Sequence, residues 1–140
     1  MKKLISISVV LFVMISIFNV NAIEPKTTVV VDKAAKVEVY YFHYTRRCAT
    51  CQAVETQSQK IVKELYAKQF KSGDIKFTGV NLDEKGSEVL AKKCKVAGQA
   101  LLVISDKKRV DLTKEGFMYA RTKPEKLKEE LKKVIDPLLK

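Results

Sequence analysis

The sequence has no glycine-rich phosphate loop and no flavin or nicotinamide fingerprint. An enzyme that works alone on such a cofactor is therefore not expected. Internal repeats and low-complexity tracts are also absent, which excludes a repeat protein. The length of 140 residues is enough for one globular domain. Histidine occurs once and cysteine three times. A structural zinc site is not expected, because the usual second close pair of ligands is missing.

The N-terminal segment is typical of a secretory signal peptide. Lys2 and Lys3 precede an apolar run at residues 4–18, and Ala22 ends a short stretch suited to cleavage. The apolar run makes a helix of about 22 Å, shorter than the roughly 30 Å of bilayer hydrocarbon. We predict a cleaved signal peptide over residues 1–22 and a periplasmic or otherwise extracytoplasmic protein, with an uncleaved membrane anchor as the alternative. Residues 23–36 are predicted to form a linker or an edge strand.

The formal net charge of the chain is +11, which raises the question of an anionic partner. The lysines of residues 123–133 alternate with glutamates, a pattern typical of a solvated helix face. No cluster of basic and aromatic residues offers a platform for bases. Nucleic-acid binding is therefore not expected, and contact with a membrane is expected only through an uncleaved N-terminal segment.

The remaining residues, 37–140, predict one α/β domain. Residues 37–43 are β-branched and aromatic, as in a strand buried on both faces, and residues 49–70 contain neither glycine nor proline and repeat apolar residues at helical spacing. We predict a mixed four-stranded sheet flanked by about three helices, with a right-handed βαβ unit at its start. The predicted strands are residues 37–43, 75–80, 101–104 and 109–112. The predicted helices are residues 49–70 and 84–93 and a last helix, which is capped by Thr122 and ends near Pro137.

Two cysteines, Cys48 and Cys51, lie where the first strand passes into the first helix. Free N–H groups and the positive end of the helix dipole favour a thiolate at Cys48, and Arg46 and Arg47 add positive charge. A spacing of three brings the two thiols close to disulfide range. The pattern predicts a redox pair in which Cys48 attacks and Cys51 resolves, and a static disulfide or idle thiols are the alternative.

This arrangement resembles small thioredoxin-fold proteins over about residues 37–136. More narrowly, residues 40–51, 98–102 and 121–125 are similar to short bacterial proteins of the ArsF family, which are described as nitrophenyl compound nitroreductase subunits. The resemblance implies a thioredoxin-like fold with Cys48 as nucleophile and Cys51 as resolving thiol. From the cysteine pair itself we predict a thiol-disulfide oxidoreductase that exchanges electrons with a protein partner and has no resident cofactor.

Two positions depart from the thioredoxin pattern. Ala100 stands where a cis-proline normally faces the cysteines, and Phe42 stands near the place of a buried acid. General disulfide reduction is therefore not expected to be efficient. The missing proline leaves room for a soft ion. The alternative function is therefore a copper(I), zinc or trivalent arsenic module with Cys48 and Cys51 as ligands, alone or together with Cys94.

Two further residues allow more than one interpretation. Cys94 follows Leu90 by four residues on the apolar side of a predicted helix, so it is either a buried hydrophobe or a free thiol with a function. His43 lies five residues before Cys48. It either assists Cys48 as a base or completes a zinc site with the three cysteines, and the alternative is that it orients the turn or simply packs. Arg46 and Arg47 are likewise candidate contacts to an anion or a partner, or solvated turn charges.

Overall fold

The computed structural model describes residues 34–140. The predicted signal peptide, residues 1–22, and most of the predicted linker or edge strand, residues 23–36, lie outside this part of the chain. Among the described residues, no helix is both long enough and apolar enough to cross a membrane.

Four strands and five helices make up the described residues, together with one short 3-10 turn. The strands are β1 (Val37–His43), β2 (Ile75–Asn81), β3 (Ala100–Ser105) and β4 (Arg109–Asp111). The helices are α1 (Ala49–Leu65), α2 (Ala67–Ser72), α3 (Ser87–Lys93), α4 (Thr113–Tyr119) and α5 (Pro124–Ile135), and the 3-10 turn is Asp136–Leu138.

The strands form one mixed sheet in the order β2-β1-β3-β4. β1 pairs with β2 in parallel and with β3 antiparallel, and β3 pairs antiparallel with β4. The predicted α/β class and mixed four-stranded sheet are therefore confirmed, and the architecture is compatible with a thioredoxin-like fold. Because β1 lies between two strands and is covered on both faces, it is buried almost throughout, as its apolar run predicted.

Alternate residues of β1 supply two separate cores. Val37, Val39 and Tyr41 pack with residues of α1, α4 and α5 in the larger core. Tyr40 and Phe42 pack on the opposite face, against residues of α3 and β3. The carboxyl end of β1 consequently delivers the chain to the start of α1 on the side of the larger core.

Three predicted helices differ from the structure in their boundaries, whereas the strands differ by at most one residue at either end. The predicted helix over residues 49–70 is broken at Tyr66, whose backbone leaves the helical region and whose hydroxyl donates to Asp136 Oδ1 at 2.7 Å. The last helix begins at Pro124, with Lys123 and not Thr122 at the cap. The predicted helix over residues 84–93 begins only at Ser87.

Helix α4 was not predicted. Its first residue is held by the two preceding strands, since the Thr113 hydroxyl donates to Asp111 Oδ1 of β4 at 2.6 Å and accepts the Leu101 N–H of β3 at 2.9 Å. Gly116, at its centre, lets the helix approach the sheet closely: a Cβ there would lie 3.1 Å from both Leu101 Cδ2 and Val54 Cγ1. A glycine weakens a helix by roughly 1 kcal/mol, so tertiary contact and not local propensity determines this element.

Candidate functional site

The two cysteines lie at the N-terminus of α1, as predicted. Cys48 is the N-cap residue, with extended backbone, and its sulfur accepts the Cys51 backbone N–H at 3.4 Å. The Cys48 carbonyl accepts the first helical hydrogen bond, from Gln52. This capping geometry leaves the Cys48 side chain exposed, whereas Cys51, one turn later, is 5% exposed.

The two sulfurs lie 2.8 Å apart, and both cysteines are free thiols. The hydrogen bond from the Cys51 thiol lowers the pKa of Cys48, and the backbone N–H of Cys51 adds to this effect. Burial raises the pKa of Cys51, and its bond to Cys48 acts in the same direction. One thiol is therefore exposed and favoured as thiolate, and the other is buried and favoured as thiol. This asymmetry suits Cys48 for attack and Cys51 for resolution.

The loop between β1 and α1 is fixed by residues at the end of β2 and just after it. The Thr45 backbone N–H donates to Asp83 Oδ2 at 2.8 Å, and Asn81 Nδ2 donates to the Thr45 hydroxyl at 2.9 Å. The position of Asp83 is fixed in turn, because its backbone N–H donates to Asn81 Oδ1 at 3.1 Å. The carboxyl ends of the two parallel strands thus hold the approach to Cys48.

The two arginines of this loop have different surroundings. Arg46 is exposed, whereas the Arg47 guanidinium forms a salt bridge with the carboxylate of Glu55 on α1. Hydrogen bonds within the cysteine turn are the causes that lower the Cys48 pKa. The thiolate-stabilising role of Arg46 and Arg47 stays a prediction. Glu55, the partner of Arg47, was not predicted from the sequence.

His43 is 8% exposed at the end of β1 and lies on the same face as Tyr41. Its Nδ1 lies 3.0 Å from the Tyr44 carbonyl oxygen, which can only accept, so Nδ1 carries the proton of that bond. Its Nε2 lies 3.9 Å from Glu55 Oε1. The structure therefore joins His43, Arg47 and Glu55 in one polar cluster beside the cysteine turn. The only sequence signal for Glu55 was its spacing of four from Cys51 on the same helix face.

Tyr41 adds an unusual feature to this region. Its side chain is fully buried, and among the described residues its hydroxyl has no hydrogen-bond partner. Its pKa is raised, first by burial and then by the proximity of the Cys51 sulfur. Cys48, Arg47 and Glu55 also act on this phenol electrostatically. A buried polar group thus lies close to the cysteines and to the charged cluster.

Cys94 and Ala100 belong to the other side of the sheet. Both are buried in the smaller core with Phe42, and Ala100 is the register partner of Phe42. Burial raises the pKa of the Cys94 thiol. No peptide bond in the described part of the chain is cis, so the strand start at Ala100 does not reproduce a cis-proline loop.

The three cysteines are not assembled as one ligand set. Within residues 34–140, no group of three or more cysteine, histidine or acidic side chains could hold a metal ion. The predicted site of Cys48, Cys51 and Cys94 is therefore not formed in this structure. A soft ion held by Cys48 and Cys51 alone stays a prediction.

No protein-family model matches the chain, and no curated protein is similar to it at a significant level. One solved structure, described as "Structure of a malarial protein", is 27% identical over 56% of this chain and 82% of that chain, with a TM-score of 0.40. The resemblance to the ArsF family has no support from other proteins and stays a prediction.

Proposed function

We propose that the protein is a thiol-disulfide redox protein that works outside the cytoplasm and exchanges electrons with a protein partner. The observation that carries the proposal is the asymmetry of the cysteine pair. Cys48 is exposed at a helix N-terminus with a lowered pKa, and Cys51 is buried 2.8 Å away with a raised pKa. The predicted signal peptide supports the location.

The proposed exchange begins with the Cys48 thiolate, which attacks one sulfur of a disulfide in the partner. A mixed disulfide forms between Cys48 and the partner, and the other partner sulfur leaves as a thiolate. Cys51 then attacks the Cys48 sulfur, so the second partner sulfur also leaves. The partner disulfide gains two electrons, and the Cys48–Cys51 pair loses two. Run in reverse, the same steps oxidise a partner dithiol.

The proposed partner is a protein because of what surrounds the exposed sulfur. Cys48, Tyr44 and Arg46 are all exposed in one short segment that leads into α1. A partner chain can contact this segment without entering a cleft. Exposed aromatic and arginine side chains are the types enriched at protein interfaces.

The experiment that tests the proposal maps cysteine oxidation in glutathione buffers of graded potential. The protein is equilibrated, alkylated and analysed by mass spectrometry. A reversible two-electron couple between Cys48 and Cys51, with Cys94 alkylated throughout, is expected. A pair that stays reduced at every potential would contradict the proposal.

Two variants separate the roles of the cysteines. Cys48→Ser is expected to abolish exchange, because the exposed nucleophile is lost. Cys51→Ser is expected to accumulate a mixed disulfide at Cys48, because nothing resolves it. Equal exchange by wild type and Cys48→Ser would show that the assigned nucleophile is wrong.

A further inference from the structure

Strand β4 leaves one edge of the sheet open. In the described part of the chain it pairs only with β3, so its other side has no strand neighbour. Ser105 and Lys108 exchange backbone hydrogen bonds at the start of this pair. Hydrogen-bonded pairs alternate along an antiparallel ladder, so the N–H and C=O groups of Arg109 and Asp111 point away from β3. Two donors and two acceptors are therefore available to one more strand.

A groove of about 490 Å³ lies beside this edge, between β4 and the C-terminal end of α5. Its apolar floor is formed by Val110, Val134, Pro137 and Leu138. Val110 lies on the face of β4 that packs against the larger core, as α5 does. Because side chains alternate along a strand, a strand added to β4 would direct every second side chain toward this groove.

The rim of the groove is basic. Lys108 and Lys133 are exposed, line the groove and form no salt bridge with any described residue. The acidic residue of the lining is Asp111, and its carboxylate is occupied. Asp111 Oδ1 accepts the Thr113 N–H at 3.0 Å and the Thr113 hydroxyl at 2.6 Å, and Oδ2 lies 3.6 Å from Arg109 Nη2. Two cations without a partner therefore lie over an apolar floor.

We propose that β4 and this groove bind an extended segment of a partner protein in which acidic side chains flank an apolar one. The backbone of the segment pairs with Arg109 and Asp111 as an added strand. Its apolar side chain lies on Val110, and its carboxylates face Lys108 and Lys133. The occupant is a polypeptide because an extended chain presents N–H and C=O groups at the spacing of the open edge.

Charge favours a foreign acidic segment over a second copy of this chain. A second copy would bring its own net charge of +11 and a second pair of unneutralised lysines to the same groove. The groove is also remote from the cysteine pair. Lys108 lies opposite Ser105, and Ser105 lies opposite Val37 at the start of β1, whereas Cys48 follows the end of β1. Binding at β4 therefore goes beyond the proposed function and does not require the thiols to react.

A five-residue peptide with the order glutamate, threonine, valine, threonine, glutamate tests the proposal. Both of its ends are blocked, and a fluorophore is attached through a flexible linker. In an extended chain the two acids and the valine share one face. Fluorescence anisotropy measures its Kd for the full-length reduced protein. We expect saturable micromolar binding, since the contact is small, and no saturable binding up to about 1 mM would overturn the proposal.

Substitution of the lysines tests the rim. Lys108→Gln combined with Lys133→Gln is expected to raise the Kd about 5-fold, as befits two exposed ion pairs. Lys68→Gln combined with Lys85→Gln removes the same charge at exposed positions elsewhere and should change the Kd less than about 2-fold. Equal weakening by both double variants would reduce the binding to attraction by net charge. Cys48→Ser should bind as wild type does, and a loss there would place the peptide at the cysteines. Either result would overturn the proposal.

Methylation of peptide nitrogens tests strand addition directly. Backbone N–H groups of alternate residues face the neighbouring strand, and the others face away. Methylation of the threonine nitrogens and methylation of the other three nitrogens should therefore differ in effect. One set should weaken binding at least about 10-fold and the other less than about 3-fold. Equal effects of the two sets would refute an added strand.

The protein side of the same bond is tested at Arg109. Arg109→Pro removes an outward N–H and leaves the ladder to β3 intact. Arg109→Ala removes only the side chain and is its control. We expect Arg109→Pro to weaken binding more than Arg109→Ala does, and equal binding by the two would contradict the proposal.

Two other occupants of the edge and the groove would give distinct results. A dimer in sedimentation velocity that Arg109→Pro dissociates would assign the edge to a second copy. Binding to phosphatidylglycerol vesicles that Lys108→Gln with Lys133→Gln abolishes, without peptide binding, would assign the groove to a membrane surface. Either outcome would overturn the proposal.

Discussion

Replacing Tyr41 by phenylalanine is expected to stabilise the reduced protein, which is the opposite of what most core substitutions do. The Tyr41 side chain is fully buried, and its hydroxyl has no hydrogen-bond partner among the described residues. An unsatisfied buried polar group costs roughly 1–3 kcal/mol. Phenylalanine keeps the ring and removes that cost, and it leaves a gap of only one oxygen atom. The expected gain is about 1–2 kcal/mol.

Tyr66→Phe is the matched control, since it makes the same chemical change at a buried tyrosine that has a partner. The Tyr66 hydroxyl donates to Asp136 Oδ1 at 2.7 Å. A hydrogen bond to a charged group contributes about 1.5–3 kcal/mol, so this variant should lose stability. Lys132 and Tyr66 together lower the pKa of Asp136, so its contribution is present at neutral pH and is lost as pH falls through that lowered pKa. The cost of Tyr66→Phe should shrink over the same interval.

Urea unfolding of the reduced proteins measures the change in the free energy of unfolding for both variants. The urea concentrations at the midpoint are compared at a constant m-value, which is the slope of the unfolding free energy against urea concentration. For a domain of this size, 1 kcal/mol corresponds to a shift of about 4–8 °C in Tm. We expect the midpoint to rise for Tyr41→Phe and to fall for Tyr66→Phe. A loss of 1 kcal/mol or more in Tyr41→Phe would show that its hydroxyl is paired in solution, and the reasoning from burial would then be refuted.

Two other predictions concern the cysteines. Alkylation of Cys48 by iodoacetamide is followed by mass spectrometry across a pH series, and its rate rises with pH because the thiolate is the species that reacts. Since the pKa of Cys48 is lowered, we expect the rate to reach half its maximum below about pH 8.5, the pKa typical of a free cysteine. A midpoint at or above the pKa of a free cysteine would contradict the assignment. Cys94→Ala should cost about 1 kcal/mol by loss of packing in the smaller core and should leave the potential of the Cys48–Cys51 couple unchanged. A shifted potential, measured in glutathione buffers, would instead connect Cys94 to the site.

Local sequence patterns were sufficient for the centre of the fold. The continuous apolar run of β1 can only be satisfied by burial on both faces, and the stretch from Ala49 without glycine or proline favours a helix. The junction between these two elements places Cys48 at a helix N-terminus, because the strand ends just before the helix begins. The difference in exposure between Cys48 and Cys51 follows from one turn of that helix.

Local patterns failed where contacts distant in sequence decide the outcome. Helix α4 contains a central glycine and becomes favourable through its close approach to Val54 and Leu101. The break at Tyr66 accompanies a bond to Asp136, seventy residues further along the chain. Neither contact leaves a periodic signal in the sequence, so neither element could be predicted from local propensity.

The sequence by itself determined that a strand delivers two cysteines to the start of a helix, because both elements follow from short-range apolar periodicity and from the absence of helix breakers. Only the tertiary structure decided which side chains surround them. Glu55 lies near His43 and beside Gly79 of β2, because β1 pairs with β2 and α1 packs on that sheet. Cys94 lies on the opposite face of the sheet. Those neighbours depend on strand register and on the face to which each side chain points, and both are set by the packing of the whole domain.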